Sequence, residues 1–328
     1  MAKLENPRHG SMQFWPRRRA KKIIPKVRSW AKAQPNKLNA FLGYKVGMCT
    51  VMARDKGATS ITKGMDVAIP ATILECPPLK LATMRCYSEG EEGNLLLKSE
   101  IVVSDEKILS KSKIKPSTQK DISASIDNIK KNINDYSQIR GLFYSIPKST
   151  SLGQKKPFIF EVSFSLDPKS SFDYLSSLVS KDVKISDVFT QGVYVDSRGI
   201  TKGKGIQGPV KRFGITLRAH KSEKTKRGPG SLGAWCAQGH IMYRVSHAGQ
   251  MGFHQRTEYN KMVLSVGKKP EEINPKSGFH KYGVVKNEYI VIKGSIQGPR
   301  KRPVLLTLPL RKNAPEKTNL TIEKIVTK

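Results

Sequence analysis

Acidic residues are scarce in this chain: 26 Asp and Glu stand against 59 Lys and Arg over 328 residues, a formal net charge of +33. Self-repulsion of that size works against a compact chain unless a polyanion neutralises it. Nucleic acid is the first candidate, with an anionic membrane surface a poor second. Long apolar runs are missing too. No stretch approaches the roughly 20 apolar residues of a membrane span, and "MAKLENPRHGSMQFWPRRRAKK" lacks the apolar core of a secretory signal. The expected setting is intracellular. Cysteine is sparse: Cys49, Cys76, Cys86 and Cys236 include no Cys-x-x-Cys pair. Neither a disulfide framework nor a zinc ribbon is indicated, and reduced, mostly buried thiols are expected. No G-x-x-x-x-G-K-[ST] phosphate loop occurs. Residues 191–328 hold only 8 acids, none closely paired except Glu271-Glu272 in an apparent loop. That leaves no carboxylate pair for acid–base work, so no enzyme is expected.

The charge that is present is unevenly placed. Residues 1–47 carry 12 basic and 1 acidic side chain, residues 48–88 carry 5 and 3, residues 89–190 carry 15 and 14, and residues 191–328 carry 27 and 8. A near-neutral block between two cationic flanks reads as a domain inserted into a polyanion-binding protein. Within the block, Ile122, Ile126, Ile129, Ile133 and Tyr136 recur on one helical face. "SSFDYLSSLVS" repeats the signal with Phe172, Leu175, Leu178 and Val179 behind a serine cap. "PFIFEVSFS" alternates at period two, and "NLLLKSEIVVS" supplies a further strand.

The flanks read as β. "YKVGMCTVMA", "VAIPATILEC", "LKLATMRCYS", "KMVLSVG", "YGVVKNEYIVIKG" and "RPVLLTLPL" are short apolar runs bounded by Gly, Pro or Asn, and "VVKNEYIVI" predicts a hairpin turning near Lys286-Asn287. The expected fold is mainly β with an α+β insert. A small closed β-barrel is built from residues 41–88 and 185–328, the α+β domain spans 89–184, and an N-terminal extension spans 1–40. A Gly-rich loop at 197–257, with 11 glycines and Glu223 as its single acid, emerges from the barrel. A loop of that length belongs outside a compact body, ordered within a partner.

One heptad occurs twice, "IQGPVKR" from Ile206 to Arg212 and "IQGPRKR" from Ile296 to Arg302. Gly-Pro interrupts helix and central strand alike, so each copy reads as a turn delivering cations to something anionic. "GKGIQG" matches the dinucleotide glycine pattern, but Pro209 follows it and no amphipathic helix does, so that reading fails. Cys236, His240, His247 and His254 can be drawn as a metal set, yet their wide spacing in a cationic, Gly-rich stretch favours RNA contact or packing. "PRRRAKK", beside Phe14 and Trp15, reads as a phosphate-binding arm with stacking surfaces. Trp235 has Gly, Ala and Ser around it, too small to enclose an indole, which points it at bases.

The stretch "FTQGVYVDSRGITKGKGIQGPVKR", from Phe189 to Arg212, resembles the signature of the universal large-subunit ribosomal protein three family, matching at Phe189, Asp196, Gly199, Thr201, Gly203, Lys204, Gly205, Gly208 and Arg212. "LGYKVGM", "PGSLGAW", "HAGQMGFHQRTEYNK" and "VKNEYIVIKGSIQGPRKR" agree with it; the insert and the N-terminal "PRHGSMQFWPRRRAKK" are similar to the longer archaeal and eukaryotic versions, and the modest length favours the archaeal type. The resemblance implies a barrel like the second domain of translation factors, with two extensions penetrating ribosomal RNA. It also implies a role in early subunit assembly and a finger, tipped by Trp235, directed toward the peptidyl transferase centre. Phosphate neutralisation with shape readout is then expected from Arg17, Arg18, Arg19, Lys21 and Lys22 on the arm, with Phe14 and Trp15 stacking on bases. The outgoing limb would contribute Lys202, Lys204, Lys211, Arg212, Arg218, Lys221, Lys224, Lys226 and Arg227, and the finger and return limb Trp235, His240, Arg244, His247, His254 and Arg256. Arg300, Lys301 and Arg302 would serve the second heptad. The expected partners are large-subunit ribosomal RNA and neighbouring ribosomal proteins, with no cofactor beyond magnesium ions bridging to RNA.

Overall fold

Short apolar strands with side chains alternating between two faces organise most of the chain. The computed structural model describes residues 9–32, 37–57, 60–104, 107–164, 167–221, 224–233, 239, 241–311 and 320–327. In chain order these form β1 (Ala40–Asp55), β2 (Asp66–Glu75), β3 (Leu79–Glu89), β4 (Leu95–Val102), α1 (Gln119–Lys131), β5 (Gln138–Ser145), β6 (Phe158–Ser163), α2 (Pro168–Ser177), α3 (Ile185–Val188), β7 (Tyr194–Ile200), β8 (Ile206–Gln207), α4 (Pro209–Phe213), β9 (Gly249–Gln250), β10 (Gln255–Gly267), β11 (Tyr289–Lys293), β12 (Pro303–Thr307) and β13 (Leu320–Val326). Two compact units result. One comprises Met1–Lys22 with Ile200–Gln255, the other Ile23–Gly199 with Arg256–Lys328.

In the larger unit a seven-stranded sheet runs β12-β7-β10-β11-β2-β1-β13, and β12 also pairs with β1, so the pairings close into a ring. The 16-residue length of β1 makes this possible. Its first residues, Ala40 to Tyr44, pair with β12, and Thr50 to Asp55 pair with β13. Alternate residues of β11 enter different apolar clusters: Ile290 and Ile292 join one, Tyr289 and Val291 the other. A strand covered on both faces reads as a continuous apolar run, which is why "YIVI" shows no polar alternation.

A second, antiparallel sheet runs β4-β3-β5-β6. The sequence pattern groups β3 with the flanking strands, but β3 pairs with β4 and β5. Pro77 and Pro78 stand between β2 and β3 and cannot donate to a ladder, so the first sheet ends there. Ile122 and Ile129 of α1 and Phe172 and Leu175 of α2 are buried in the same cluster as Phe41, Leu74 and Leu305 of the first sheet. Thr118 caps α1 by accepting from the Asp121 N–H. The serine cap expected for α2 gives way to Asp167 in the cap position and Pro168 at the first turn, where the missing N–H has no partner to lose.

The hairpin expected at Lys286-Asn287 is absent. The buried Glu75 carboxylate instead accepts from the backbone N–H groups of Lys286 (2.9 Å) and Asn287 (3.0 Å), from Asn287 Nδ2 (2.7 Å) and from the Tyr282 hydroxyl. A buried carboxylate surrounded by donors outcompetes a strand ladder for those N–H groups. Burial, then the charge of Glu75, pushes Tyr282 far above the ordinary tyrosine pKa.

The two heptads adopt different structures. Gly208 caps α4, Pro209 takes its first position and Gly214, at φ 72°, ends it; the first copy therefore opens a helical turn rather than a simple bend. The second copy is a turn, with Lys301 at φ 71° and the Arg302 N–H reaching the Pro299 carbonyl at 3.3 Å. The residue just beyond each copy decides the outcome. Phe213 succeeds Arg212, but Pro303 succeeds Arg302, and a residue before proline is kept out of the helical region.

Candidate nucleic-acid interface

The cations predicted to meet nucleic acid divide by what they touch. In the smaller unit, residues of the two limbs form an antiparallel ladder: the Thr201 N–H bonds to the His254 carbonyl (2.9 Å), Lys204 N–H to Met251 O (2.9 Å), and β8 pairs with β9. Gly252, at φ 73°, lets the backbones meet, since an added Cβ would lie 2.0 Å from the Lys202 carbonyl oxygen. The N-terminal stretch joins this ladder through the Ala20 N–H, which donates to Phe253 O at 2.8 Å.

Phe213, buried at the end of α4, is the centre of the unit. Trp15 packs against it at 5.3 Å between ring centroids and meets Tyr243 edge-on at 6.4 Å. The Arg17 and Arg212 guanidiniums lie over the Phe213 ring at 4.4 and 5.0 Å. Arg212 donates through Nε to Gln250 O (3.0 Å) and through Nη1 to His247 O (2.9 Å). Burial draws both arginines below their ordinary pKa, and for Arg212 the neighbouring Arg17 charge adds to the effect. Two cations tolerate this closeness because backbone carbonyls and the negative face of an aromatic ring surround them.

His254 is buried, and its ring Nδ1–H donates to the Arg18 carbonyl at 2.8 Å; the acceptor fixes the tautomer. The structure thus places Trp15, Arg17, Arg212 and His254 together in internal contacts. Arg18, Arg19, Lys21, Lys22, Lys202, Lys204, Lys211, Lys221, Lys224, Lys226, Arg227 and Arg244 are exposed, as is Phe14, while Arg218 and His247 are half-buried. Arg19 also lies over the Phe253 ring at 5.3 Å. No Asp or Glu occurs among the described residues of this unit. Trp235, Cys236 and His240 lie outside the described residues.

Arg256, Arg300, Lys301 and Arg302 belong to the larger unit. Arg300 and Lys301 are exposed, with Arg300 Nη1 donating to His280 O at 2.6 Å. Arg302 is half-buried, and burial lowers its pKa. Lys45 pins this heptad by donating through Nζ to the Ile296 and Gly298 carbonyls.

Sequence reasoning missed Phe213, Tyr243, Phe253 and Gln250 as the residues that organise the cations. The signal was present in "KRF" and "GFHQR", aromatics set directly beside basic residues. Among the described residues no group of three or more His, Cys, Asp and Glu is arranged to hold a metal ion, and no helix is long and apolar enough to cross a membrane.

The model of the ribosomal protein L3 family matches residues 1–327. The chain is similar to the large ribosomal subunit protein uL3 of Methanothermobacter thermautotrophicus, 40% identical over 316 residues that cover 95% of this chain and 94% of that protein. It is also similar to uL3 of Methanosphaera stadtmanae, 40% identical over 336 residues covering 100% and 98%. The uL3 of Methanocaldococcus jannaschii is 38% identical over 317 residues covering 95% and 93%. The chain therefore belongs to the ribosomal protein L3 family, close to its archaeal members, as a structural, non-enzymatic protein of the large ribosomal subunit.

Proposed function

We propose that this chain binds large-subunit ribosomal RNA, supports early assembly of the subunit and extends the loop that carries Trp235 toward the peptidyl transferase centre. The observation that carries this reading is the division among cations in the smaller unit. Arg17, Arg212 and His254 are committed to internal contacts. Arg18, Arg19, Lys202, Lys204, Lys211, Lys221, Lys224 and Lys226 are exposed where no described acid accompanies them. A surface of that kind releases counterions when it meets closely spaced phosphates, which supplies affinity without base reading. Shape readout of folded RNA adds the specificity.

In this reading the ring of paired strands is a small closed β-barrel body, similar to the second-domain barrel of translation factors. The four-stranded sheet and its helices are the inserted domain. Arg300, Lys301 and Arg302 add a cationic turn to the barrel part, and neighbouring ribosomal proteins complete the set of partners. Gly233 and Ala234 before Trp235 and Cys236 after it give the indole small immediate neighbours in sequence, which suits a residue that contacts bases.

Binding of the purified chain to large-subunit RNA fragments across a salt series tests the reading. A steep fall in affinity with salt is expected, and a flat response refutes it. Trp235→Ala is expected to enter large subunits normally and to slow peptidyl transfer or factor-dependent steps. Failure of that variant to enter subunits would return Trp235 to a packing role.

A further inference from the structure

β4 is an edge of the four-stranded sheet; it pairs with β3 and, among the described residues, with no strand on its other side. Its second half is covered, with Ile101 packed on the apolar cluster and α1 lying against the strand. Its first half is open. Leu95, Leu96 and Leu97 are 41%, 57% and 47% exposed, and Lys98 beside them is exposed as well. Successive strand side chains point to opposite faces. Three consecutive exposed leucines therefore mean that Leu95–Leu97 is uncovered on both faces of the strand, although Tyr87 and Ser88, which pair with Leu97 and Leu96, are half-buried and buried. An apolar open edge is a template for another chain, and natural surfaces avoid such runs unless they use them.

The turn that ends this ribbon reverses the sign of the surface. Glu89, Glu91 and Glu92 cluster there in a chain of net charge +33. Glu92 accepts from Asn94 Nδ2 at 3.1 Å, and among the described residues no Lys or Arg forms an ion pair with any of these glutamates.

Charge selects the occupant. RNA phosphates are repelled by the glutamates, and a second copy of this chain would bring its own +33 against this one. An extended basic protein segment satisfies every feature. Its backbone pairs with the open edge, its apolar side chains cover the leucines, and its lysines and arginines meet the acidic turn. We propose that the free edge of β4 docks an extended, lysine- and arginine-rich segment of a neighbouring protein in the large subunit. This rests on the chain's place in that subunit.

The test uses the full-length chain with Leu96 replaced by p-benzoylphenylalanine, assembled into large subunits, irradiated, and its cross-linked peptides sequenced by mass spectrometry. The expected product joins position 96 to a Lys/Arg-rich protein segment. Its yield is expected to fall about tenfold or more when Glu89→Lys, Glu91→Lys and Glu92→Lys are combined. If charge reversal blocks assembly, the three Glu→Gln changes are read the same way, with a smaller loss of yield expected. A cross-link to RNA, to an acidic segment or to a second copy of this chain overturns the proposal, as does no cross-link or a yield that ignores the glutamates. Failure of the unsubstituted chain to enter large subunits would overturn the ribosomal reading instead.

Discussion

Arg17 and Arg212 each donate a hydrogen bond to the other's carbonyl oxygen, Arg17 Nη1 to Arg212 O at 3.1 Å and Arg212 Nη2 to Arg17 O at 3.4 Å, while both guanidiniums face the Phe213 ring. The N-terminal stretch and the Gly-rich loop thus hold each other through like-charged residues, made compatible by carbonyl dipoles and one aromatic ring.

Phe213→Ala removes that ring and the packing surface of Trp15. A buried Phe→Ala change costs about 3–5 kcal/mol. Hydrogen exchange in the full chain is the measurement. Faster exchange is expected at the Lys204 and Met251 amides, which belong to the same unit's ladder, with no change at the amides of β11.

Gly252→Ala is expected to break the same ladder from the backbone side. The position combines φ 73° with a would-be Cβ 2.0 Å from the Lys202 carbonyl oxygen, so strain and collision act together. Gly153→Ala, where φ is not left-handed and no atom lies within 4 Å of an added Cβ, serves as the tolerated control. Limited proteolysis of the two variants is expected to cut the first faster within residues 200–255 and to leave the second at the native rate.

Glu75→Ala tests the buried carboxylate that redirects the chain at Lys286 and Asn287. Four donors lose their acceptor at once, and a destabilisation of about 3–5 kcal/mol is expected. Urea denaturation of the full chain measures it. A shift of under about 1 kcal/mol, the worth of one ordinary hydrogen bond, would mean that the carboxylate does not organise this segment.

The thiols give a pH signature. Burial pushes Cys49 and Cys86 up to about 11 from an ordinary 9.0, and raises Cys76 well above it, the charges of Glu75 and Glu288 adding to burial there. Raised values mean that the folded state holds its thiol protons more tightly than the unfolded state does. The stabilisation is therefore complete below the unfolded value and is lost as pH rises through the 9-to-11 window. At pH 8 a thiol-disulfide reagent is expected to react with Cys49, Cys76 and Cys86 only after unfolding, because the thiolate is the nucleophile. Rapid labelling of any of these in the native chain would contradict their burial.

The sequence carried the periodicities well. Ile122, Ile126 and Ile129 form the packed face of α1, and "PFIFEVSFS" contains β6, because patterns of period 3.6 and 2 are local properties of the chain. The heptads were harder, since six of their seven residues are identical and the difference lies at the next position, Phe213 against Pro303. The hairpin expected at Lys286-Asn287 failed because its competitor, Glu75, is more than two hundred residues away in sequence. The same limit applies to the cations. Spacing marks Arg212 and Lys211 alike as basic, yet only the folded chain turns Arg212 toward Gln250 O and His247 O and leaves Lys211 exposed.

The central claim is that the exposed lysines of the smaller unit meet phosphate while Arg17 and Arg212 build the unit that presents them. Its most direct test is the salt dependence of affinity for a large-subunit RNA fragment, measured for the native chain and for Lys202→Gln, Lys204→Gln and Lys211→Gln combined. The triple variant is expected to keep the native circular dichroism spectrum and to show a log–log salt slope shallower by about 2 to 3. A slope identical to that of the native chain would contradict the account.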